Sequence, residues 1–334
     1  MLEHGSFPTS DTTPLQDAKT DGTVIVWSCG VGAAPFSAPD LWEALPGGTP
    51  RRIFANPNRD SALLPIVVAG GHVAFVEGNE RLYGSTGGWR LWYLDHPGAR
   101  VVLLDASNGP SPLPILAMTS ERIVWVAFHG PEGHVVSDLI TVSLPGLAKR
   151  ILGHSPKSQR QYVFPSLRGS LLAYGVEVPG TGAEHVVLVD LSKPGAIPRQ
   201  LDSSGNATTP TLTADSVIWK EAPNIVDAGQ LVRYSLRDRS TTQLNLGTWS
   251  SATLPSAGRR FATAWGTDST QFYLVDLTNN RPILLEGFSP TGPLNDVRPY
   301  ISGDLLVWIR GVSSLTASGY PTQPLELEWA RLVP

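Results

Sequence analysis

Seven prolines recur along the chain, each followed by a short apolar strand, a tight turn and a second strand that carries an aromatic residue near its end. The prolines are Pro14, Pro65, Pro114, Pro165, Pro210, Pro255 and Pro299, and the aromatic residues are Trp27, Phe75, Trp125, Tyr174, Trp219, Trp265 and Trp308. The mean spacing of about 47.5 residues is that of a four-stranded propeller blade, which cannot bury both its faces without neighbours. The pattern predicts an all-β fold: a seven-bladed β-propeller of four-stranded antiparallel blades, forming a single domain over residues 1–334.

The fifth repeat illustrates the four strands of one unit. They are predicted over Thr211–Leu212, Ser216–Trp219, Gln230–Leu236 and Thr242–Leu246. The third strand is rich in β-branched and aromatic residues, as are its counterparts in the other repeats. Residues that favour turns separate the strands, and no stretch has the 3.6-residue apolar spacing of a helix. We therefore expect almost no helix.

The two ends of the chain predict how the fold closes. The last repeat has strands over Tyr300–Ser302, Leu305–Ile309 and Leu325–Leu332, and no fourth strand follows them. The spacing of the other repeats places a spare strand near Met1–Ser6. The amino-terminal strand is therefore predicted to complete the last blade, which pairs an edge that would otherwise be open.

The composition of the chain restricts the kinds of partner that the protein is expected to bind. The formal net charge is -4 and the pI about 6.0, which argues against nucleic acid or an anionic membrane as partner, because both require a concentrated basic face. No apolar run reaches the length of a membrane span, so we expect no membrane insertion within this chain. A single cysteine, Cys29, excludes an internal disulfide.

We expect the protein to be a monomer. The Ser/Thr/Pro-rich segment 6–14 favours an extracytoplasmic location, while a cytoplasmic one stays open.

The repeats resemble the blades of TolB-like propellers. The resemblance rests on Val217-Ile-Trp219 followed by Leu231–Leu236, and on Phe272–Leu277 followed by Ile283-Leu-Leu285. It covers nearly the whole chain and implies a β-propeller with a surface for proteins or peptides. Related propellers include carbohydrate lyases and the gating domain of prolyl-oligopeptidase-like enzymes.

Short catalytic and metal-binding motifs are absent from the sequence. It contains no Gly-x-Ser-x-Gly elbow, no His-Glu-x-x-His, no Cys-x-x-Cys pair and no EF-hand loop. We therefore expect no cofactor and no strong metal site. Function must be inferred from the loops, because a fold alone does not define a reaction.

The loops between second and third strands are long, and they are expected to share one face with the loops that lead into first strands. Polar and aromatic residues lie at or near these loops, and they predict a face that binds a polar ligand. The predicted ligand-binding residues are Glu77, Glu177, Lys220, Trp249, Asp268, Asp296 and Arg310.

Two functions fit this face. The first is a binding or interaction module for a protein, peptide or glycan. The second is a carbohydrate-active enzyme such as a polysaccharide lyase, in which a His or Tyr acts as base and an Arg or Lys neutralises a uronate. Its candidate catalytic residues are His129, Tyr162, Arg160 and Arg298. Clustering of His129 with Tyr162 or an arginine would favour the enzyme, and a dispersed set would favour binding.

Overall fold

The fold was obtained as a computed structural model, and the residues that it describes form β-strands joined by turns. The described residues are 3–7, 15–30, 39–58, 61–78, 88–109, 111–129, 136–155, 161–178, 183–223, 227, 229–247, 255–265, 272–284, 299–310 and 326–332. Their strands form seven antiparallel sheets, which confirms the predicted fold class, a seven-bladed β-propeller. No helix occurs among these residues, as the sequence predicted.

The strands follow one another blade by blade. The chain begins with β1 (Glu3–Phe7), blade one contains β2 (Leu15–Thr20), β3 (Ile25–Gly30), β4 (Pro39–Ala44) and β5 (Arg51–Phe54), and blade two contains β6 (Ala62–Ala69), β7 (His72–Gly78), β8 (Trp89–Leu94) and β9 (Val102–Ser107). Blade three contains β10 (Ile115–Thr119), β11 (Arg122–His129), β12 (Val136–Ser143) and β13 (Ala148–His154), and blade four contains β14 (Gln161–Arg168), β15 (Leu171–Val178), β16 (Ala183–Asp190) and β17 (Arg199–Gln200). Blade five contains β18 (Ala207–Leu212), β19 (Ser216–Glu221), β20 (Gln230–Ser235) and β21 (Thr241–Gln243), blade six contains β22 (Phe261–Trp265), β23 (Phe272–Asp276) and β24 (Arg281–Leu284), and blade seven contains β25 (Tyr300–Ser302), β26 (Leu305–Arg310) and β27 (Glu326–Arg331).

Contacts group the blades into two compact units. One unit comprises residues 1–113 and 289–334, and thus blades one, two and seven. The other comprises residues 114–288, and thus blades three to six. A single domain over 1–334 stays a prediction.

Blade seven is completed by the amino-terminal strand. Strand β1 pairs antiparallel with β27, and the strand order is β1-β27-β26-β25. Phe7 is buried, and its ring stacks on Trp27 of blade one at 5.2 Å between centroids. The predicted closure is therefore confirmed, and the strand also supplies core to the neighbouring blade.

The described part of blade six contains three named strands and one isolated bridge. Its three named strands β22, β23 and β24 correspond to the second, third and fourth strands of the other blades. Ser256 and Ala257 occupy the first position: Ala257 bridges to Ala262, and the amide of Thr263 donates to the Ser256 carbonyl at 2.8 Å.

The periodic prolines lie inside the first strand in three blades, whereas the sequence pattern had placed the strand after the proline. Strands β6, β14 and β18 begin three or four residues before Pro65, Pro165 and Pro210, and each has a register shift there. The reason is physical: proline has no N–H, and a bulge leaves that position outside the ladder. The bulges matter because one of them shapes the site described below.

The periodic aromatic residues pack in the core, as predicted. Trp125 and Trp219 are almost wholly buried, and Trp219 of blade five packs on Ala173 and Val186 of blade four. Trp308 is only half-buried, and the side chain of Trp265 lies outside the described residues.

Candidate functional site

Polar side chains accumulate at one end of blades three, four and five. The second strands β11, β15 and β19 end there, and the first strands β14 and β18 begin there. It is therefore the end at which the sequence predicted a binding face. The described side chains form three groups, centred on the carboxyl groups of Asp138, Asp202 and Glu184.

The carboxylate of Asp138 holds two histidines in blade three. His129 Nε2 donates to Asp138 Oδ2 at 3.2 Å, and His154 Nδ1 donates to Asp138 Oδ1 at 2.5 Å. Asp138 is largely covered, whereas the side chains of His129 and His154 are 43% and 62% exposed. The group thus ties the exposed ends of β11, β12 and β13 together.

Asp202 is a buried carboxylate that orients His185. Its Oδ1 accepts the backbone N–H of Val186 at 2.8 Å, and its Oδ2 accepts His185 Nδ1–H at 2.9 Å. The Asp202 side chain is 0% exposed. Because Nδ1 of His185 donates to this carboxylate, Nε2 is left as the basic nitrogen.

Glu184 lies between blades four and five with unusually few partners for its burial. Its Oε1 and the hydroxyls of Thr208 and Thr209 are buried, and they make no hydrogen bond with the described part of the chain. The two threonines are 2% and 4% exposed. An unpaired buried polar atom costs free energy and calls for an explanation such as a bound water, an ion or a ligand. We refer to Glu177, Glu184, Thr208 and Thr209 as the Glu184 site.

Burial raises the pKa of Glu184 from its usual value to about 7. The Thr208 hydroxyl and the Thr209 backbone N–H face the carboxyl group and lower its pKa. The negative charges of Glu177 and Asp202 raise the pKa further. Near neutral pH this carboxyl group therefore exists in both protonation states, as groups at functional sites often do.

The backbone at Thr209 is strained. Its φ is +55°, and left-handed conformations are rare for a β-branched residue. Thr209 precedes Pro210 within the bulge of β18, and Phe164, which precedes Pro165 in β14, has φ +46°. Strained backbone persists where surrounding structure enforces it, and it concentrates at functional sites.

Glu77, the predicted binding residue of blade two, is saturated by its own neighbours. Its carboxylate accepts Trp92 Nε1–H at 2.8 Å and Asn58 Nδ2–H at 3.0 Å, and Arg90 lies 3.7 Å away. The residue is buried. These contacts give Glu77 a structural role within its unit.

The other described candidates lie on different strands. His129 on β11 bonds to Asp138. The ring of Tyr162 on β14 packs edge-on against Tyr174 at 5.8 Å, and its backbone N–H donates to Ser137 Oγ of blade three at 2.8 Å. Glu177 lies on β15 opposite Glu184, and Lys220 on β19 is fully buried. The backbone of Arg310 pairs with Glu326 at the end of β26. Arg160, Trp249, Asp268, Asp296 and Arg298 lie outside the described residues, as does the side chain of Arg310.

Metal ligands do not cluster in the described part of the chain: no group of three or more His, Cys, Asp or Glu there could hold a metal ion. The same residues include no helix long and apolar enough to cross a membrane.

Sequence reasoning missed Glu184, Asp202, His185 and the two threonines. None of these five residues is among the site residues predicted from the sequence. A signal existed in Thr209-Pro210, because proline restricts the residue before it and the periodic prolines coincide with bulges. Burial of Glu184 depends on the packing of two blades and has no local signature.

Comparison with known proteins supports the fold. No protein-family model matches the chain, and no curated protein matches its sequence. Among solved structures, an oligogalacturonate lyase in complex with manganese has a TM-score of 0.66 at 10% identity, covering 100% of this chain and 99% of its own. An oligogalacturonate lyase from Vibrio parahaemolyticus has a TM-score of 0.60 at 10% identity, covering 98% of this chain and 97% of its own.

A peptidase is similar over part of its length. The acylaminoacyl peptidase of Pyrococcus horikoshii has a TM-score of 0.62 at 10% identity over 96% of this chain but only 52% of its own. At such identities the likeness shows the fold alone, and function must be argued from the site.

Proposed function

We propose that this protein is a binding module that holds a polar ligand, a glycan or a peptide, at the Glu184 site. The observation that carries the proposal is the set of three buried oxygens, Glu184 Oε1, Thr208 Oγ1 and Thr209 Oγ1, that lack hydrogen bonds among the described residues. A ligand that donates hydrogen bonds to them would compensate for their desolvation. The strained Thr209 beside them supports the same interpretation.

His129 and Tyr162, two of the predicted catalytic residues, lie near one another. His129 bonds to Asp138, and a Cβ at Gly153 of the same blade would lie 2.5 Å from the Tyr162 hydroxyl oxygen. His154, which follows Gly153, also bonds to Asp138. This proximity favours the enzyme, so the proposal of a binding module rests on the Glu184 site.

A carbohydrate lyase is the second candidate, and the geometry of His185 favours it. A base oriented by a buried carboxylate through Nδ1 is suited to removing a proton with Nε2. In a lyase reaction the base would take the proton beside the uronate carboxyl group, a C=C bond would form as the C–O bond to the leaving sugar breaks, and the departing oxygen would take a proton from water. The nearby carboxylates Glu177 and Asp202 oppose this candidate, because they repel a polyuronate.

Substitution of the threonines tests the binding proposal. Thr208→Val replaces an unpaired hydroxyl by a methyl group, so we expect the free energy of unfolding to rise by about 1 kcal/mol without ligand. The matched control is Thr211→Val on the same strand, whose hydroxyl donates to the Pro255 carbonyl at 2.8 Å and whose loss should destabilise the protein. A destabilising Thr208→Val would show that this hydroxyl is satisfied within the protein and would remove the main support for the site.

Ligand arrays supply the functional half of the test. Glycan and peptide arrays are probed with the wild-type protein, with Glu184→Gln and with the control Asp238→Asn, an exposed carboxylate in the turn after β20. The proposal predicts at least one ligand that wild type and Asp238→Asn retain and Glu184→Gln loses. Release of an unsaturated, ultraviolet-absorbing product from oligogalacturonate, abolished by His185→Ala, would instead establish the lyase.

A further inference from the structure

The charges around Glu184 are arranged unfavourably for an isolated protein. Glu177 on β15 is the register partner of Glu184 on β16, so the two side chains share one face of the sheet. Asp202, in the segment before β18, adds a second negative charge that acts on Glu184. Like charges directly opposite each other on neighbouring strands destabilise a sheet.

The remaining charged groups near the site do not offset this excess. On the same strand as Glu184, the next residue His185 is directed to Asp202. On β19, Lys220 is the register partner of Thr208, whereas the next residue, Glu221, points to the opposite face and accepts Trp219 Nε1–H at 3.3 Å. The carboxyl groups of Glu177, Glu184 and Asp202 thus outnumber the ammonium group of Lys220 in this part of the described chain, which favours a positively charged ligand group.

A glycine makes room for the Glu184 carboxyl group. A Cβ atom at Gly175 would lie 2.6 Å from Glu184 Oε1 and 2.7 Å from Val163 Cγ2. The carboxyl oxygen thus occupies the space that any other residue at position 175 would fill. Gly175 lets Glu184 lie against the sheet, near the Thr208 hydroxyl and the Thr209 backbone N–H of the following blade.

Resting on the binding function proposed above, we propose that the Glu184 site receives a primary ammonium group of the ligand, carried by an amino sugar or a lysine side chain. The site offers three oxygens without donors among the described residues, Glu184 Oε1, Thr208 Oγ1 and Thr209 Oγ1. An ammonium group offers three N–H donors and no acceptor, and its charge matches the excess of carboxylates. An anionic group would meet Glu177 and Asp202 instead.

Two matched pairs of probes test the ammonium group and distinguish its sources. The first pair is the end-capped peptide Gly-Ser-Lys-Ser-Gly and its form with an acetylated lysine side chain. The second pair is a tetramer of glucosamine and the same tetramer of N-acetylglucosamine. Titration calorimetry is expected to show that the amine binds at least about tenfold more tightly than its acetylated partner in one pair, which identifies the source.

Variants and pH locate the effect at Glu184. Glu184→Gln should reduce the preference for the amine to about twofold or less, and Asp238→Asn should preserve it. Since a lysine amine stays protonated while Glu184 ionises around pH 7, wild-type affinity for the lysine peptide should rise between about pH 6 and about pH 8. Glu184→Gln should show no such rise.

The outcomes separate the two proposals. Equal binding of amine and acetylated probes, or a preference that survives in Glu184→Gln, overturns the ammonium proposal and leaves the binding function intact. The ammonium proposal is overturned in the same way if all four probes fail while the arrays give a ligand that Glu184→Gln loses. If the arrays also give none, both proposals fall.

Discussion

Closure of blade seven by the amino-terminal strand can be tested with one substitution, Phe7→Ala. Phe7 is 3% exposed, pairs with Leu327 of β27 and stacks on Trp27 of blade one. The side chain therefore connects the first strand of the chain to the cores of two blades. Its truncation leaves the backbone pairing in place, so the measurement isolates the packing contribution.

The expected loss of folding free energy is large for a residue so near the amino-terminal end of the sequence. Truncation of a buried Phe to Ala costs about 3–5 kcal/mol, which includes the stacking with Trp27. The matched control is His4→Ala on the same strand, where the side chain is exposed and the change should stay within about 0.5 kcal/mol.

Urea unfolding followed by tryptophan fluorescence measures both variants. We expect Phe7→Ala to unfold at clearly lower urea than wild type and His4→Ala to unfold with wild type. A loss below about 1 kcal/mol for Phe7→Ala would contradict the packing of β1 into the core, because a solvated or frayed β1 contributes little to the fold.

Three further predictions concern the rest of the chain. Trp219→Ala should lower the free energy of unfolding by about 3–5 kcal/mol in urea titrations without changing the fold class by circular dichroism; an unchanged midpoint would contradict its role in packing blade five on blade four. Burial raises the pKa of Glu184 to about 7, so the free energy of unfolding of the wild type should fall as pH rises from about 4.5 to about 7. Over that range Glu184→Gln should become more stable than the wild type by about 1–3 kcal/mol, and parallel pH profiles of the two proteins would contradict the burial of the carboxyl group. A Cβ at Gly88 would overlap the Ser107 carbonyl oxygen, whereas a Cβ at Gly109 meets nothing within 4 Å. Gly88→Ala should therefore lower the free energy of unfolding by more than about 2 kcal/mol and Gly109→Ala by less than about 0.5 kcal/mol. Equal thermal midpoints of the two variants would argue against the close approach at Gly88.

The periodic features of the fold were predictable because each repeat reports the same packing. Proline and aromatic spacing predicted seven blades, and the unmatched last repeat predicted that residues near Met1–Ser6 would supply the missing strand, which is β1. The sequence did not reveal that Pro65, Pro165 and Pro210 lie inside their strands. A bulge is a relation between two strands, and a single strand's sequence carries no record of its register.

The candidate site was less predictable because it depends on contacts between blades. The sequence pointed to the end of blades three to five at which the Glu184 site lies, and its predicted residues included Glu177 of that site. It gave no reason to choose Glu184 over Glu77. In the structure, Glu184 has a buried oxygen without a hydrogen bond among the described residues, whereas the carboxylate of Glu77 accepts hydrogen bonds from Trp92 and Asn58. Partners that are distant in sequence decide this difference.

The pH at which Glu184 ionises is the measurement that most directly tests the proposed binding site. Carbon-13 NMR of protein labelled at glutamate carboxyl carbons follows each group through a pH titration, and Glu184→Gln assigns the Glu184 signal. We expect a midpoint near pH 7 in the free protein and a lower midpoint with the amine probe that binds, because an ammonium group favours the ionised carboxylate. A midpoint near the ordinary glutamate value of about 4.3, unchanged by that probe, would contradict both the burial of Glu184 and its contact with an ammonium group.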